Sequence, residues 1–463
     1  MLATFFGLTS AWLIAHYNFP CKKIFSWALL LPFAVPAYVI AYVYTDLLEY
    51  SGVVQIHLRA WFGWQSPADY WFPEIRSTGG AILMFALVLY PYIYLTCRAA
   101  LLEQSESMVL ASRWLGVGTA RTLFRVVLPA IRPSLAVGLA LVMMETLNDY
   151  GTVSYFAVQS LTAGLYDTWL GMGNLGGAAQ IASLMVGVSL LLLFLERLSR
   201  KRLKTYQSGV RKRPLRPRRL SAGKSMLAII FCSTLVVLGF LIPAGLLTYY
   251  AVAYFQQSWT TEFLTYTFNS LFLATTAAIL LVVLGVLLAY AQRIAPRPFN
   301  LSMIRLASIG YAMPGAVLAI GVVIPLAAID NSIDDFATRF FGFSTGLLLS
   351  GTVVAILYAY CARFLTVSFG SAESGLARIT PSMDQAAKTL GKGSLQTLFL
   401  IHLPLLRKSL LTAALIVFVD CMKELPATLL LRPFNFETLA TYVYQYASDE
   451  LLEPIVKFLR FSA

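Results

Sequence analysis

Apolar runs of about 20 residues recur along the whole chain, each long enough to cross the hydrocarbon core of a bilayer. They predict helical spans near residues 2–16, 25–45, 80–97, 134–157, 178–196, 226–252, 268–291, 303–328, 345–366 and 409–431. The runs are continuous. Alternating segments of about 10 residues, the mark of a membrane barrel, are absent from the sequence. The pattern predicts an all-α polytopic membrane protein of about ten transmembrane spans. The longest stretches that break the apolar pattern are 196–224 and 45–79.

Charge then orients the spans. Only 12% of the residues are charged, yet the formal net charge is +13. Lys22 and Lys23 follow the first span, and Arg98, Arg113, Arg121, Arg125 and Arg132 follow the third. Arg293, Arg297 and Arg305 follow the seventh. The stretch 329–343 is instead acidic, with Asp330, Asp334 and Asp335 against Arg339. Basic loops face the cytoplasm, which puts the first residue outside. The largest basic concentration, 197–224, reads as a cytoplasmic linker resting on anionic lipid headgroups. It carries none of the aromatic interleaving of a nucleic-acid site, so no nucleic-acid partner is expected. Gly223-Lys224-Ser225 imitates part of a phosphate-binding loop, but Arg218 stands where the first glycine is needed. No cofactor is expected on this chain. His16, His57 and His402 are scattered, and the five cysteines show no paired spacing, so no metal site is expected either.

The sequence repeats itself. Residues 112–129 read SRWLGVGTARTLFRVVLP, and 387–404 read AKTLGKGSLQTLFLIHLP, 275 positions later. Pro36–Ala41 resembles Pro314–Ala319, and Arg98 is matched to Arg363 as the end of a span. Glu145 and Asp149 match Asp420 and Glu424 at the same 275-residue offset. Span one pairs with span seven, so two halves of like orientation flank the linker, a parallel repeat. The predicted organisation is a first transmembrane half at 1–196, the linker at 197–224 and a second half at 225–463. A period of six spans leaves spans five and six without counterparts. The expectation is therefore of halves lacking one helix each, the first helix of the first half and the last helix of the second.

Each repeated segment reads as a short helix, a Gly-x-Gly turn, a second short helix and a Leu-Pro entry into a span. Gly116 and Gly118, like Gly391 and Gly393, permit the turn. Thr119 and Ser394 are placed as helix N-caps. Leu123, Phe124 and Val127 form an apolar stripe, matched by Leu398, Phe399 and His402, and Pro129 and Pro404 end the element. A compact cytoplasmic knob presented twice suits a partner of two-fold symmetry. The segments resemble the coupling, or EAA, loops of ABC-importer permeases. The matching residues are Ala111 with Gly116, Gly118 and Pro129, then Ala386 and Ala387 with Gly391, Gly393 and Pro404. Neither copy keeps the glutamate of that pattern, although Glu106 and Asp384 lie close to its place. The runs 144–153, 423–433 and 436–441 resemble fused permeases for ferric iron, and the similarity covers nearly the whole chain. The resemblance implies twelve spans in the full pattern, a bacterial inner-membrane location, two copies of a cytoplasmic ABC ATPase and a periplasmic or lipid-anchored solute-binding protein.

Glu145, Asn148 and Asp149 share one helix face by their i, i+3, i+4 spacing, as do Asp420, Lys423 and Glu424. Charges within an apolar span are costly and face a cavity or a partner. One reading has them line or gate the central path; the other has Lys423 neutralise its neighbours. Acidic oxygens suit a hard cation, whereas an anion path calls for Arg or Lys. The expected function is ATP-driven import of ferric iron by a transport subunit that is not itself an enzyme. The rivals are another cargo (thiamine, a polyamine or an anion) and a secondary transporter.

Overall fold

The computed structural model describes residues 1–103, 112, 114, 118–201, 217–253, 255, 259–295 and 309–448. The helices that build it are α1 (Leu2–His16), α2 (Lys22–Ala28), α3 (Ala37–Leu48), α4 (Val53–Phe62), α5 (Thr78–Glu103), α6 (Leu128–Asn148), α7 (Gly151–Tyr155) and α8 (Leu175–Lys201). They continue with α9 (Ala222–Val236), α10 (Ile242–Ala253), α11 (Thr261–Ile294), α12 (Gly315–Phe341) and α13 (Val353–Leu376). The last are α14 (Pro381–Thr389), α15 (Leu403–Met422), α16 (Pro426–Leu431) and α17 (Leu439–Ser448). Among the described residues, 7 helices are long and apolar enough to cross a membrane, and a pair bent by 89°, Lys22–Ala34 with Ala37–Phe62, makes up to 8. Their outer faces stay apolar and exposed, as on α11 at Phe272, Ile279, Val283 and Leu287, which is what a lipid solvent requires.

Several spans differ from the sequence reading, each for a local reason. The span placed at 134–157 stops at Asn148, because Asp149 turns into extended backbone and the chain restarts as α7. The span at 409–431 likewise stops at Met422 and restarts as α16, with Pro426 at its first position. Of the eighth span, placed at 303–328, residues 303–308 lie outside the described residues, and its long helix begins at Gly315 behind Pro314. It runs on to Phe341, so the acidic stretch 329–343 is mostly helix rather than loop. Asp330 and Asp334 fold back from that helix onto the loop beyond it. Asp330 accepts from the Leu349 and Ser350 backbone N–H groups, and Asp334 from those of Thr345 and Gly346. The ninth span begins at Thr352, whose side chain caps Val354 N, and continues to Leu376. Arg363 therefore lies in mid-helix and does not end its span, which corrects its match to Arg98.

The chain divides into two compact units, Met1–Gly164 with Gly187–Ser258 and Leu165–Val186 with Trp259–Ala463. In the first, α1 packs on α5, α5 on α6, and α3 on α7. In the second, α11 packs on α13, α13 on α15, and α12 on α16. The same three pairings recur at the repeat offset, so the duplication extends to packing. Even a close approach is shared. A Cβ on Gly7 would stand 2.7 Å from Tyr90 O, and one on Gly285 would stand 2.8 Å from Ser368 C, so both crossings need glycine. Helices α9 and α10, placed by sequence in the second half, pack instead in the first unit. Tyr44 donates to Leu238 O at 2.6 Å, and Tyr250 donates to Asp46 at 2.5 Å. In the same unit Arg218 and Arg219 pair as a short parallel strand with Tyr17 and Asn18. This joins the linker to the basic loop after α1, as one cytoplasmic face requires.

Candidate functional site: coupling segments and broken helices

The second coupling segment is described in full. Thr380 and Pro381 open α14, and Gly391 closes it in the left-handed region at φ 71°. The Gly391 and Lys392 N–H groups return to the carbonyls of Lys388 and Ala387, the pattern that ends a helix on glycine. Gly393 then caps the next short helix, so Ser394 is its first residue and not its cap. That helix does not stop at Leu403-Pro404. It passes through a π-turn at Leu398–His402 straight into α15, where Pro404 occupies a first-turn position that needs no N–H partner. The π-turn also divides the expected stripe: Leu398 and His402 point inward, while Phe399 is exposed. Leu390, Leu395, Phe399 and Leu400 are all more than half exposed on this knob. Gln385 and Ala386 face outward and Ala387 is buried. Asp384 turns the other way, into bonds from Arg293 Nε at 2.9 Å and Nη2 at 2.7 Å.

In the first coupling segment, Ala111 and Gly116 lie outside the described residues, as do Glu106 and Arg113. Gly118 precedes the helix Thr119–Thr122, and a π-turn at Leu123–Val127 leads into α6, with Pro129 again in its first turn. The Ser112 and Thr122 hydroxyls, both buried, lie 3.1 Å apart and join the two arms. Because Gly391 has open space around it, Gly391→Ala tests backbone strain alone. We expect the substitution to cost about 1–2 kcal/mol, read as a lowered thermal midpoint of the detergent-purified chain. An unchanged midpoint would show that the turn relaxes.

The two helix breaks are built alike. Asp149 accepts from Thr152 N at 2.8 Å and from Thr152 Oγ1 at 3.1 Å, capping α7. At the equivalent place Glu424 accepts from Ala427 N, Thr428 N and Thr428 Oγ1 at 2.9–3.1 Å, capping α16. Glu424 also receives Arg363 Nη1 at 2.9 Å, and both side chains are buried. Tyr360 and Thr428 hydroxyls meet at 2.6 Å beside this pair. Asp420 forms an ion pair with Lys423 at 2.9 Å, so the lysine neutralises Asp420. Glu145 is half-buried and Asn148 buried. The structure thus groups Asp149 with α7, and Glu424 with Arg363 and Thr428. The sequence reading names Arg363, Arg293 and His402 but gives none of them a place in the site; an arginine within an apolar run was the signal for the first. Among the described residues, no group of three His, Cys, Asp or Glu side chains is arranged to hold a metal.

Comparison with known proteins agrees with this architecture. Residues 3–205 match the family described as "Binding-protein-dependent transport system inner membrane component". The Fe(3+)-transport system permease protein FbpB 2 of Haemophilus influenzae is 24% identical over 96% of this chain and 80% of its own length. The ferric transport system permease protein FbpB of Actinobacillus pleuropneumoniae is 23% identical over 97% of this chain, which spans 65% of that relative. The molybdenum transport system permease protein ModB of Escherichia coli is 27% identical over 42% of this chain and 87% of its own length. A duplicated helical packing, a multi-pass apolar body and these similarities meet in one conclusion: the chain is a permease component of binding-protein-dependent transport, with the match to the inner-membrane family lying on residues 3–205.

Proposed function

We propose that the chain carries ferric iron inward, powered by ATP hydrolysis on a separate subunit. The observation that carries this reading is similarity to ferric permeases along 96% of the chain, against 42% for the molybdenum permease. The oxygen-rich faces at the helix breaks suit a hard cation. Binding-protein-dependent transport calls for an ATPase and a solute-binding protein as partners. The finer assignment is two ATPase copies, one on each coupling segment. The exposed Leu390, Leu395 and Phe399 offer the apolar contact that such docking needs. ATP binding draws the two segments together and turns the path from one side of the membrane to the other. Passage falls to Glu145, Asn148, Asp149, Asp420 and Lys423, while Glu424 supports their placement from within the fold. A channel needs weak sites, so tight selection of the cargo belongs to the external binding protein. The basic stretch 197–224 rests on anionic lipid.

Uptake of labelled ferric iron in iron-starved cells tests the cargo, with the gene deleted and then restored as this chain. The expected outcome is uptake lost on deletion and regained on restoration. Iron uptake unaffected by deletion, with loss of thiamine, polyamine or oxyanion uptake instead, would reassign the cargo and leave the permease reading standing.

A further inference from the structure

Three charged or titratable side chains from separate elements meet beneath the second coupling segment. Arg293, in the last turn of α11, grips Asp384 Oδ2 of α14 with two donors. Its remaining donors reach the carbonyls of Leu376 at 2.6 Å and Ile379 at 2.9 Å, where α13 gives way to α14. On the other side of the carboxylate, His402 Nε2 lies 2.7 Å from Asp384 Oδ1. His402 is fully buried in the π-turn, and its ring meets Tyr290 edge-on with centroids 5.3 Å apart. Tyr290, one turn before Arg293 on α11, donates to Ser394 O at 2.5 Å. One carboxylate is thus tied to α11 by a guanidinium that also holds the end of α13, while its other oxygen lies against the buried imidazole at the entry of α15, close but not aligned as a hydrogen bond.

We infer that Arg293, Asp384 and His402 are positioning residues that form a latch. They join the second coupling segment to α11, α13 and α15 as one body, so that displacement of α14 is carried into the long helices. Forked, charge-assisted bonds hold direction as well as distance, which a greasy contact does not. Without them α14 is attached through the short connectors at 377–380 and 390–393, and these absorb movement. The first half is built differently. The residues 275 positions before Arg293, Asp384 and His402 are Asn18, Val109 and Val127, which cannot form this cluster. The same geometry assigns Asp384 an inward role and leaves Gln385 to face the partner.

This inference rests on the reading of α14 as the ATPase-docking helix, and the experiment separates the two. The permease would be purified with its ATPase, reconstituted with its binding protein in liposomes, and assayed for iron moved and ATP hydrolysed in the same preparation. The variants are Asp384→Asn, Arg293→Gln, His402→Gln and the Arg293→Gln/Asp384→Asn pair; His402→Gln keeps the Arg293 bond and guards against a poorly folded Asp384→Asn. A spin label at a cysteine replacing the exposed Lys392 reports on the knob without any ATPase. Expected are a retained ATPase, roughly tenfold less iron moved per ATP in Asp384→Asn and Arg293→Gln, and a more mobile label. The pair should be no worse than the worse single variant, since both lose one shared interaction. Release of the ATPase by Asp384→Asn but not by Arg293→Gln would overturn the latch and turn Asp384 toward the partner. Additive losses, or a label spectrum unchanged in every variant, would also overturn it. Failure of the unmodified chain to hold an ATPase would instead sink the docking reading, and the label alone would then judge the latch.

Discussion

Replacing Glu424 by alanine is expected to remove the folded chain rather than merely slow its transport. The carboxylate meets the Arg363 guanidinium at 2.9 Å, with both side chains buried. It also accepts from the backbone N–H of Ala427 and Thr428 and from the Thr428 hydroxyl. Truncation orphans those donors and strands a buried cation, and breaking such a pair costs about 3–5 kcal/mol. That is a large share of the stability of an ordinary domain. Glu424→Gln keeps the shape and the acceptor and should fall between alanine and the unmodified chain. Arg363→Leu with Glu424→Leu removes both charges and should recover part of the loss. Asp149→Ala removes only the cap seen at Thr152 and should cost about 1 kcal/mol. The measure is the amount of chain recovered in the membrane and its thermal midpoint in detergent. A Glu424→Ala chain with an unchanged midpoint but no transport would return Glu424 to the path.

That contrast shows what the sequence could reveal. Apolar run length announced a helical membrane protein, and the 275-residue echo announced the duplicated packing, because both depend on residue type at fixed spacing. The helix breaks were harder. Apolar residues resume at Val153 and at Leu429–Leu431, so hydropathy carries each span past the breaks that follow Asn148 and Met422. Helix α13 departs in the opposite direction: the sequence reading ends the span at 366, before Ser368, Ser371 and Glu373, yet Ser368 is buried and the helix continues to Leu376. Matching Arg98 to Arg363 by type also misled, since the residue 275 positions before Arg363 is Val88. Partners far apart in sequence, such as Arg293 with Asp384 and Arg363 with Glu424, leave no local signal. They became visible only when helix packing brought them together. The assignment of α9 and α10 to the second half failed for the same reason, since chain order does not fix which neighbours a helix packs against.

Gly285→Leu is expected to separate α11 from α13 and destabilise the second unit. The first atom of the new side chain would stand 2.8 Å from Ser368 C and 2.9 Å from Phe369 N. Those are backbone atoms inside a helix, so no rotamer change relieves the clash and the helices must move apart. Overpacking costs about 1–3 kcal/mol and more where the obstacle is rigid. Moving α13 also draws Arg363 away from Glu424, so the loss spreads to the buried pair. Gly321→Leu is the matched control, because a Cβ there meets nothing within 4 Å. The comparison is the thermal midpoint of the two variants in one detergent, and equal midpoints would reject the crossing. Gly7 occupies the corresponding crossing of α1 on α5, but there the obstacle includes the Ile93 side chain as well as Tyr90 O. The two nearest atoms, Ile93 Cβ and Tyr90 O at 2.7 Å, are fixed to the backbone and no rotamer change moves them, so Gly7→Leu should cost about as much as Gly285→Leu. The repeat thus extends to the crossing, since Ile93 and Ser368 stand at equivalent positions, although the glycines fall on different residues of their helices: Val282 stands 275 positions after Gly7.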